Sequence, residues 1–336
     1  MSDKSPKKES LLNSFQELIS DKLMDLFDLV IMERKAFHEH DKKEKSGPEE
    51  IKKIISNYSN TNAAISGGLS LIPGVAGMAT VLPEIALVVR NQLQMIYDIG
   101  AANGKEKSIN KELMAGILVT YFGSKGIEML TVQGGTVLLK QTSVKFFEHI
   151  VSLLSFEISE QIIQSAIVKW VPLAGSVAMA VWSRYTTMRI GKHAANIFSK
   201  NIEQSKETAT ETEISAPKEL KAADFEAAKI KALINLMGLD LAHDQREISF
   251  IEQIIQHSSL ELDDQLVLAK KLHEKGEIKN DLSIFKNNPT AMTGLIVDLL
   301  ALAKTDESAQ LAEMLYLKKI AVEIGLTKEE LEELMG

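Results

Sequence analysis

Between Ala64 and Val89 the chain reads AISGGLSLIPGVAGMATVLPEIALVV, and Glu84 is the only ionisable side chain in it. A helix needs about 20 predominantly apolar residues to cross a bilayer, and this run is long enough. An apolar stretch of this length is costly to leave in water, so it lies against lipid or forms the core of a folded unit. Gly67, Gly68, Pro73, Gly74, Gly77 and Pro83 predict a division into pieces of about a dozen residues or fewer, closer to a hairpin or re-entrant element than to one straight span. Small residues allow close helix packing in lipid and in a water-soluble bundle alike, so both readings stay open.

A second uncharged run, Trp170 to Trp182 (WVPLAGSVAMAVW), echoes the first. Each opens on an apolar-Pro pair, passes through small and apolar residues, and leads into a helix that ends at Ile-Gly. Trp170 and Trp182 are the only tryptophans, and they bracket the run as interfacial anchors do, with Arg184, Arg189 and Lys192 beyond to meet anionic headgroups. The membrane reading therefore turns Trp170, Trp182, Leu71, Ile72 and Val75 toward lipid. The other reading pairs the two runs in one buried core, with the tryptophans packed or at a partner surface.

Elsewhere the pattern is helical. Aromatics make up 5% of the chain and there are 7 prolines, while Ala, Leu, Ile, Lys and Glu are plentiful; the expected fold class is all-α, in two helical domains. Leu11, Leu12, Phe15, Leu18, Ile19, Leu23, Phe27, Val30 and Ile31 recur at three- and four-residue steps and predict an amphipathic helix from about Ser10 to Phe37. The polar stretch HDKKEKSGPEE follows, with Pro48 suited to the first turn of the next helix. Further helices are expected near Pro83 to Ala102, Lys111 to Lys125, Gly135 to Phe156 and Ile158 to Lys169. Lys200 to Lys218 has almost no large apolar residues and reads as a linker. Beyond it, Lys218 to Leu239, Arg246 to His257, Asp263 to Glu274, Pro289 to Ala303, Ser308 to Ile324 and Lys328 to Leu334 read as a bundle of short helices. The expected organisation is a helix and polar link over 1–47, a hydrophobic helical domain over 48–199, a linker over 200–217 and a second helical domain over 218–336.

Charge and chemistry narrow the function. Residues 1–200 carry about +3 and residues 201–336 about −11, and the acidic half argues against nucleic-acid binding. Cysteine is absent, which excludes disulfides, Cys-ligated metals and thiol nucleophiles. Glu and Asp interrupt the apolar pattern near the start, so no secretory signal is read and a cytoplasmic location is expected. Gly100 to Glu106 (GAANGKE) fails as a phosphate loop: three rather than four residues separate its glycines, and Glu106 stands where Ser or Thr would bind magnesium. His38 and His40 are two residues apart and poorly aligned on a helix; a solvated helix end is the expectation. His149, His193, His243, His257 and His273 are scattered singly. No catalytic motif and no catalytic residue is found.

Two resemblances add to this reading. The segments IPGVAGMATVLPEIALVVRNQLQMIYDIGAANGKE and VPLAGSVAMAVWSRYTTMRIGKHAANIF resemble, in their order, the EcsC family of helical bacterial domains, over roughly Ile51 to Phe198. That resemblance implies a membrane-associated helical domain without an agreed activity. Leu299 to Leu334 (LLALAKTDESAQLAEMLYLKKIAVEIGLTKEELEEL) resembles the TerB-like fold of tellurite-resistance proteins and the N-terminal part of DjlA co-chaperones: Asp306, Glu313 seven residues later, then Leu317, Ile320, Ala321, Ile324, Gly325 and Leu326. An earlier copy places Asp244 before Glu252, and the likeness covers roughly Glu219 to Gly336. The family has Gly after the Asp, whereas this chain has Gln245 and Glu307, and the first Asp-to-Glu spacing is one residue longer. If the family's acidic cluster holds a divalent ion, Asp244, Glu252, Asp306 and Glu313 are the matching ligands; the same residues also suit helix caps and helix surfaces. A J-domain His-Pro-Asp is missing, so co-chaperone activity does not carry over.

The expected function is a non-enzymatic, membrane-associated bacterial stress or envelope-response protein at the cytoplasmic face of the inner membrane. Its acidic domain would recruit a protein partner or sense an ion, and inner-membrane lipid would be the other partner. A wholly soluble helical scaffold and a metal-dependent hydrolase using the acidic residues are the alternatives.

Overall fold

The computed structural model describes residues 5–40, 47–67, 75–122, 128–164, 172–210, 222–239, 245–303 apart from 259, 275 and 287, and 311–335. The architecture is mostly helical, with one small three-stranded sheet. The chain divides into two compact units, and one cut does not separate them. Unit 1 holds Met1–Ser66, Met78–Glu160 and Ser183–Ser215; unit 2 holds Gly67–Gly77, Gln161–Trp182 and Ala216–Gly336. One cut falls between Ser215 and Ala216, and parts of both uncharged runs group with the C-terminal residues. Within unit 2 the runs approach closely: a Cβ added at Gly67 would stand 3.3 Å from the Ala180 Cβ.

Unit 1 begins with α1 (Ser5–His40), which buries Ile19, Leu23, Phe27 and Val30 at four- and three-residue steps. Gly47, at φ +117°, turns the chain into α2 (Pro48–Gly67), where Pro48 leads and Glu49 and Glu50 occupy the first turn. The next helix, α3 (Val75–Ala102), carries Gly77 and Pro83 inside it. The uncharged stretch is therefore helical through Gly77 and Pro83, and residues 68–74 lie outside the described residues. A proline in a helix interior costs about 3 kcal/mol, which the buried face made by Ile85, Val88, Val89, Leu93, Ile96 and Ile99 offsets. Among the described residues no helix is long and apolar enough to cross a membrane. Asn110 caps α4 (Lys111–Phe122), its Oδ1 accepting from the Leu113 amide at 2.8 Å.

A helix expected from Gly135 onward starts later, as α5 (Val144–Gln164), because Leu130 to Gln141 is a hairpin. Strands β1 (Leu130–Gln133) and β2 (Thr136–Gln141) pair antiparallel around Gly134 and Gly135, whose φ values of +55° and +85° suit a two-residue turn of the mirror-image type. The next described helix, α6 (Pro172–Phe198), runs unbroken from the second uncharged run to Phe198. The expected linker then begins as strand β3 (Asn201–Thr208), parallel to β2 from Thr136–Asn201 to Gln141–Thr208. It is polar because it is an edge strand with most side chains in water; residues 211–217 lie outside the described residues.

Unit 2 contains α7 (Ala222–Met237), α8 (Gln245–His257), α9 (Leu262–Leu272), α10 (Pro289–Ala303), α11 (Leu311–Ile324) and α12 (Lys328–Met335). Their bounds follow the sequence pattern closely. Ile230, Leu233, Ile251, Phe285, Leu295, Leu299, Ile320 and Leu331 form the core. The Ile-Gly-Leu triplet has a mechanical role at the end of α11. Gly325 adopts φ +94°, the Leu326 amide donates to the Ala321 carbonyl at 2.7 Å, and Leu326 is buried.

Candidate functional site

Of the four residues matched to a metal cluster, the structure describes Glu252 and Glu313. Asp244 and Asp306 lie outside the described residues. Glu252 is on α8, partly exposed, with an oxygen 3.4 Å from His273 Nε2. Glu313 is buried in the first turn of α11. Among the described residues no three His, Asp or Glu side chains come together to hold a metal ion. The buried acid of α8 is instead Glu247, also in the first turn, where a carboxylate meets the positive end of the helix. The D-x-x-E spacing of Asp244 and Glu247 is the signal that could have singled it out.

Of the residues assigned to lipid, Trp170, Leu71 and Ile72 lie outside the described residues, and Val75 opens α3. Trp182 is buried, 3% exposed, so its indole does not lie at an exposed face.

Unit 1 has a charged junction that motif reading missed. Asp98 of α3 accepts from Arg34 through Nε at 2.7 Å and Nη2 at 2.9 Å, contacts His38 Nε2 at 2.9 Å, and accepts from the Tyr58 hydroxyl at 2.8 Å. Two contacts fall on each carboxylate oxygen, which uses the group's about four lone-pair sites. Burial, then the Asp98 charge, pushes the Tyr58 hydroxyl well above the usual phenol range. Tyr97, raised in the same direction by burial first, stacks on His38 at 5.8 Å between ring centroids. His38 is thus part of a polar joint and not a solvated helix end. With its lone pairs occupied, Asp98 holds α1 and α2 on α3 and is not placed to take a proton from a substrate. Arg90 and Glu33 add a second pair between α3 and α1 at 2.8 Å.

A neutral seam lies beside it. Asn62 of α2, fully buried, donates to the Thr187 hydroxyl of α6 at 2.9 Å and to the Val88 carbonyl at 3.3 Å, and accepts from Asn91 at 2.8 Å. Gln92 donates to the same Thr187 oxygen at 3.1 Å, and Ser183 to the Asn62 carbonyl at 3.0 Å. Farther along α6, His193 Nε2 lies 2.8 Å from the Thr120 hydroxyl, which donates to the Gly116 carbonyl and so leaves His193 as the donor. Burial, with Arg189 and Lys200 nearby, pushes His193 below the usual imidazole range. None of these groups pairs a nucleophile with a free base.

In unit 2, Lys229 of α7 and Asp298 of α10 form a buried ion pair at 2.8 Å. Asn235 clamps the Ile278 backbone from both sides, at 2.8 and 2.7 Å. Tyr316, its hydroxyl pushed up to about 12 chiefly by burial, packs near the same place and donates to the Ala232 carbonyl at 3.4 Å. The outward surface differs in kind: Leu262, Leu266 and Val267 on α9, and Leu311, Leu315 and Val322 on α11, are each more than half exposed. Fold and surface define a mostly helical protein whose polar groups join helices and whose unburied apolar side chains mark the candidate site. No family model, no curated protein and no solved structure matches this chain.

Proposed function

We propose that the chain is a non-enzymatic interaction protein, in which acidic unit 2 recruits a protein partner and unit 1 associates with the cytoplasmic face of a membrane. What carries the reading is the pair of helices, α9 and α11, that each set three large apolar side chains in water. Water-exposed Leu and Val at helical spacing are costly to solubility and gain on being covered by another helix. The EcsC-like and TerB-like resemblances support a membrane-linked recruiting module in stress or envelope responses; ion sensing through Asp306 and Glu313 belongs to the same proposal. A photo-crosslinking amino acid placed in cells at position 266 or 315 gives discrete protein adducts, and at Lys206 of β3 gives none. Absence of adducts above the Lys206 background at both positions refutes recruitment.

Membrane association has its own support. Leu29 and Met32 of α1 and Leu87 of α3 are exposed beside Glu33 and Arg90 in sequence, and α3 carries part of the uncharged run. Flotation with vesicles of anionic phospholipid tests it, and Met32→Glu with Leu29→Glu abolishes flotation if the surface is the one in contact.

A further inference from the structure

We infer that α9 is a docking surface for a basic amphipathic helix of a partner protein, an identification that rests on the recruiting role proposed for unit 2. The helix is anchored on one side only. Leu268 and Leu272 are buried, and Gln265 donates to the Leu260 carbonyl at 2.9 Å, while Leu262, Leu266 and Val267 are 68%, 60% and 57% exposed. Leu262 and Leu266 stand one turn apart on one line, and Val267 lies farther round the outward side.

The charge around these side chains selects the occupant. Glu261, Asp263 and Asp264 are exposed beside Leu262, and among the described residues none of the three is in an ion pair. At the other end of α9 the lysines are already engaged, Lys270 at 3.7 Å and Lys271 at 3.2 Å from Glu274. Residues 216–336 hold 14 Lys and Arg against 22 Asp and Glu, so the wider field has the same sign. First-turn carboxylates are favoured by the helix dipole, which accounts for Asp263 and Asp264 but not for three apolar side chains left in water among them.

A second copy of α9 would bring like carboxylates face to face, and an anionic membrane would meet them with the same sign of charge. A helix with Leu on one stripe and Lys or Arg beside it meets both the apolar and the acidic parts of the surface. The α11 stripe differs: Lys318 and Lys319 stand among Leu311, Leu315 and Val322 and pair with Glu332 and Glu277, each at 3.6 Å. Among the described residues the lysines of this stripe are paired, and it serves as the comparison surface.

The test uses the full chain and a fluorescein-labelled, 18-residue helical peptide of leucine and lysine, with leucine at i, i+3, i+4 and i+7. Anisotropy gives its affinity at several salt concentrations. Leu262→Ser with Leu266→Ser weakens binding about tenfold or more, as loss of two buried leucines requires. Asp263→Asn with Asp264→Asn weakens it about fivefold and flattens its salt dependence. Leu311→Ser with Leu315→Ser leaves it within about twofold, and all variants keep the parent's helical circular dichroism. The inference is overturned if the peptide does not bind, if the α9 variants bind like the parent, if the α11 variant loses as much, or if a glutamate-for-lysine peptide binds equally well. It is also overturned if α9 instead mediates self-association or binding to phosphatidylglycerol vesicles, shown by loss of either in the α9 leucine variant. Adducts at position 315 alone would sink the α9 assignment and leave partner recruitment standing; absence at both positions would remove both.

Discussion

Replacing Asp98 by alanine tests whether the charged joint holds the helices of unit 1 together. The substitution strands Arg34, His38 and Tyr58, which converge on one carboxylate at 2.7 to 2.9 Å. Breaking a buried ion pair by removing one partner costs about 3 to 5 kcal/mol, because the other charge is left without compensation. The Arg34 side chain is 16% exposed and recovers part of its hydration, so the lower end, about 3 kcal/mol, is expected. For a unit of this size that corresponds to a fall in melting temperature of about 6 to 12 °C. Asp98→Asn is expected to cost nearly as much, since an amide NH2 faces the donors that the carboxylate oxygen served. Tyr58→Phe, which removes one donor, costs about 1 kcal/mol. Urea unfolding followed by far-ultraviolet circular dichroism measures each value. A double-mutant cycle isolates the pair: Arg34→Ala costs little once Asp98 is gone. Additive single effects, or a cost below about 1 kcal/mol for Asp98→Ala, would refute the joint.

Three further outcomes follow from other parts of the molecule. Gly100→Ala drives a Cβ to 2.7 Å from Ile109 and 2.8 Å from the Phe198 ring, and is expected to destabilise unit 1 by about 1 to 3 kcal/mol in the same urea titration; Gly238→Ala, where the nearest atom is 3.3 Å away, serves as a milder comparison. In unit 2, Lys229→Met leaves Asp298 buried without its cation and costs about 3 kcal/mol, whereas the double change with Asp298→Leu recovers most of it; a double variant as unstable as the single one would show that the pair is not the cause. His193 is shifted toward its neutral form in the folded chain, so the unfolded state binds more of the proton as pH falls below the usual imidazole value of about 6.5. Its contribution is therefore complete above that pH and lost as pH falls toward the depressed folded value. His193→Asn is expected to flatten the fall in melting temperature between pH 7.5 and 5.5, and an unchanged slope would argue against it.

The helices of unit 2 were legible because each follows a local pattern: Asn288-Pro289 before α10, Ile324-Gly325-Leu326 after α11, and apolar steps of three and four between. The hairpin was missed although TVQGGTV, where β-branched residues flank Gly-Gly, carried its signal, because the apolar run that follows suggested a helix. Strand β3 was not legible, since an exposed edge strand has the composition of a linker and its partner β2 lies about 60 residues earlier. The Asp98 joint was out of reach for a similar reason. Arg34 and Tyr58 are 64 and 40 positions away, and no spacing rule connects them. Glu313 stood out in the family pattern and is buried, while Glu252 stood out and is not, because the spacing in the first copy led past the first-turn acid Glu247. The α9 surface could not be recognised in sequence, because the same leucines on the same helix would read as core until their exposure is known.

The parallel pairing of β2 with β3 also sets an order of events in folding. β1 and β2 are joined by a two-residue turn and can close early, on the microsecond scale of isolated hairpins. β3 reaches β2 only after the chain from Thr142 to Lys200, which includes α5 and α6, has been brought round, so the closure entropy of that loop is met before the ladder forms. The amides of Asn201–Thr208 bonded to β2 then gain protection late, and hydrogen exchange there times the assembly of unit 1.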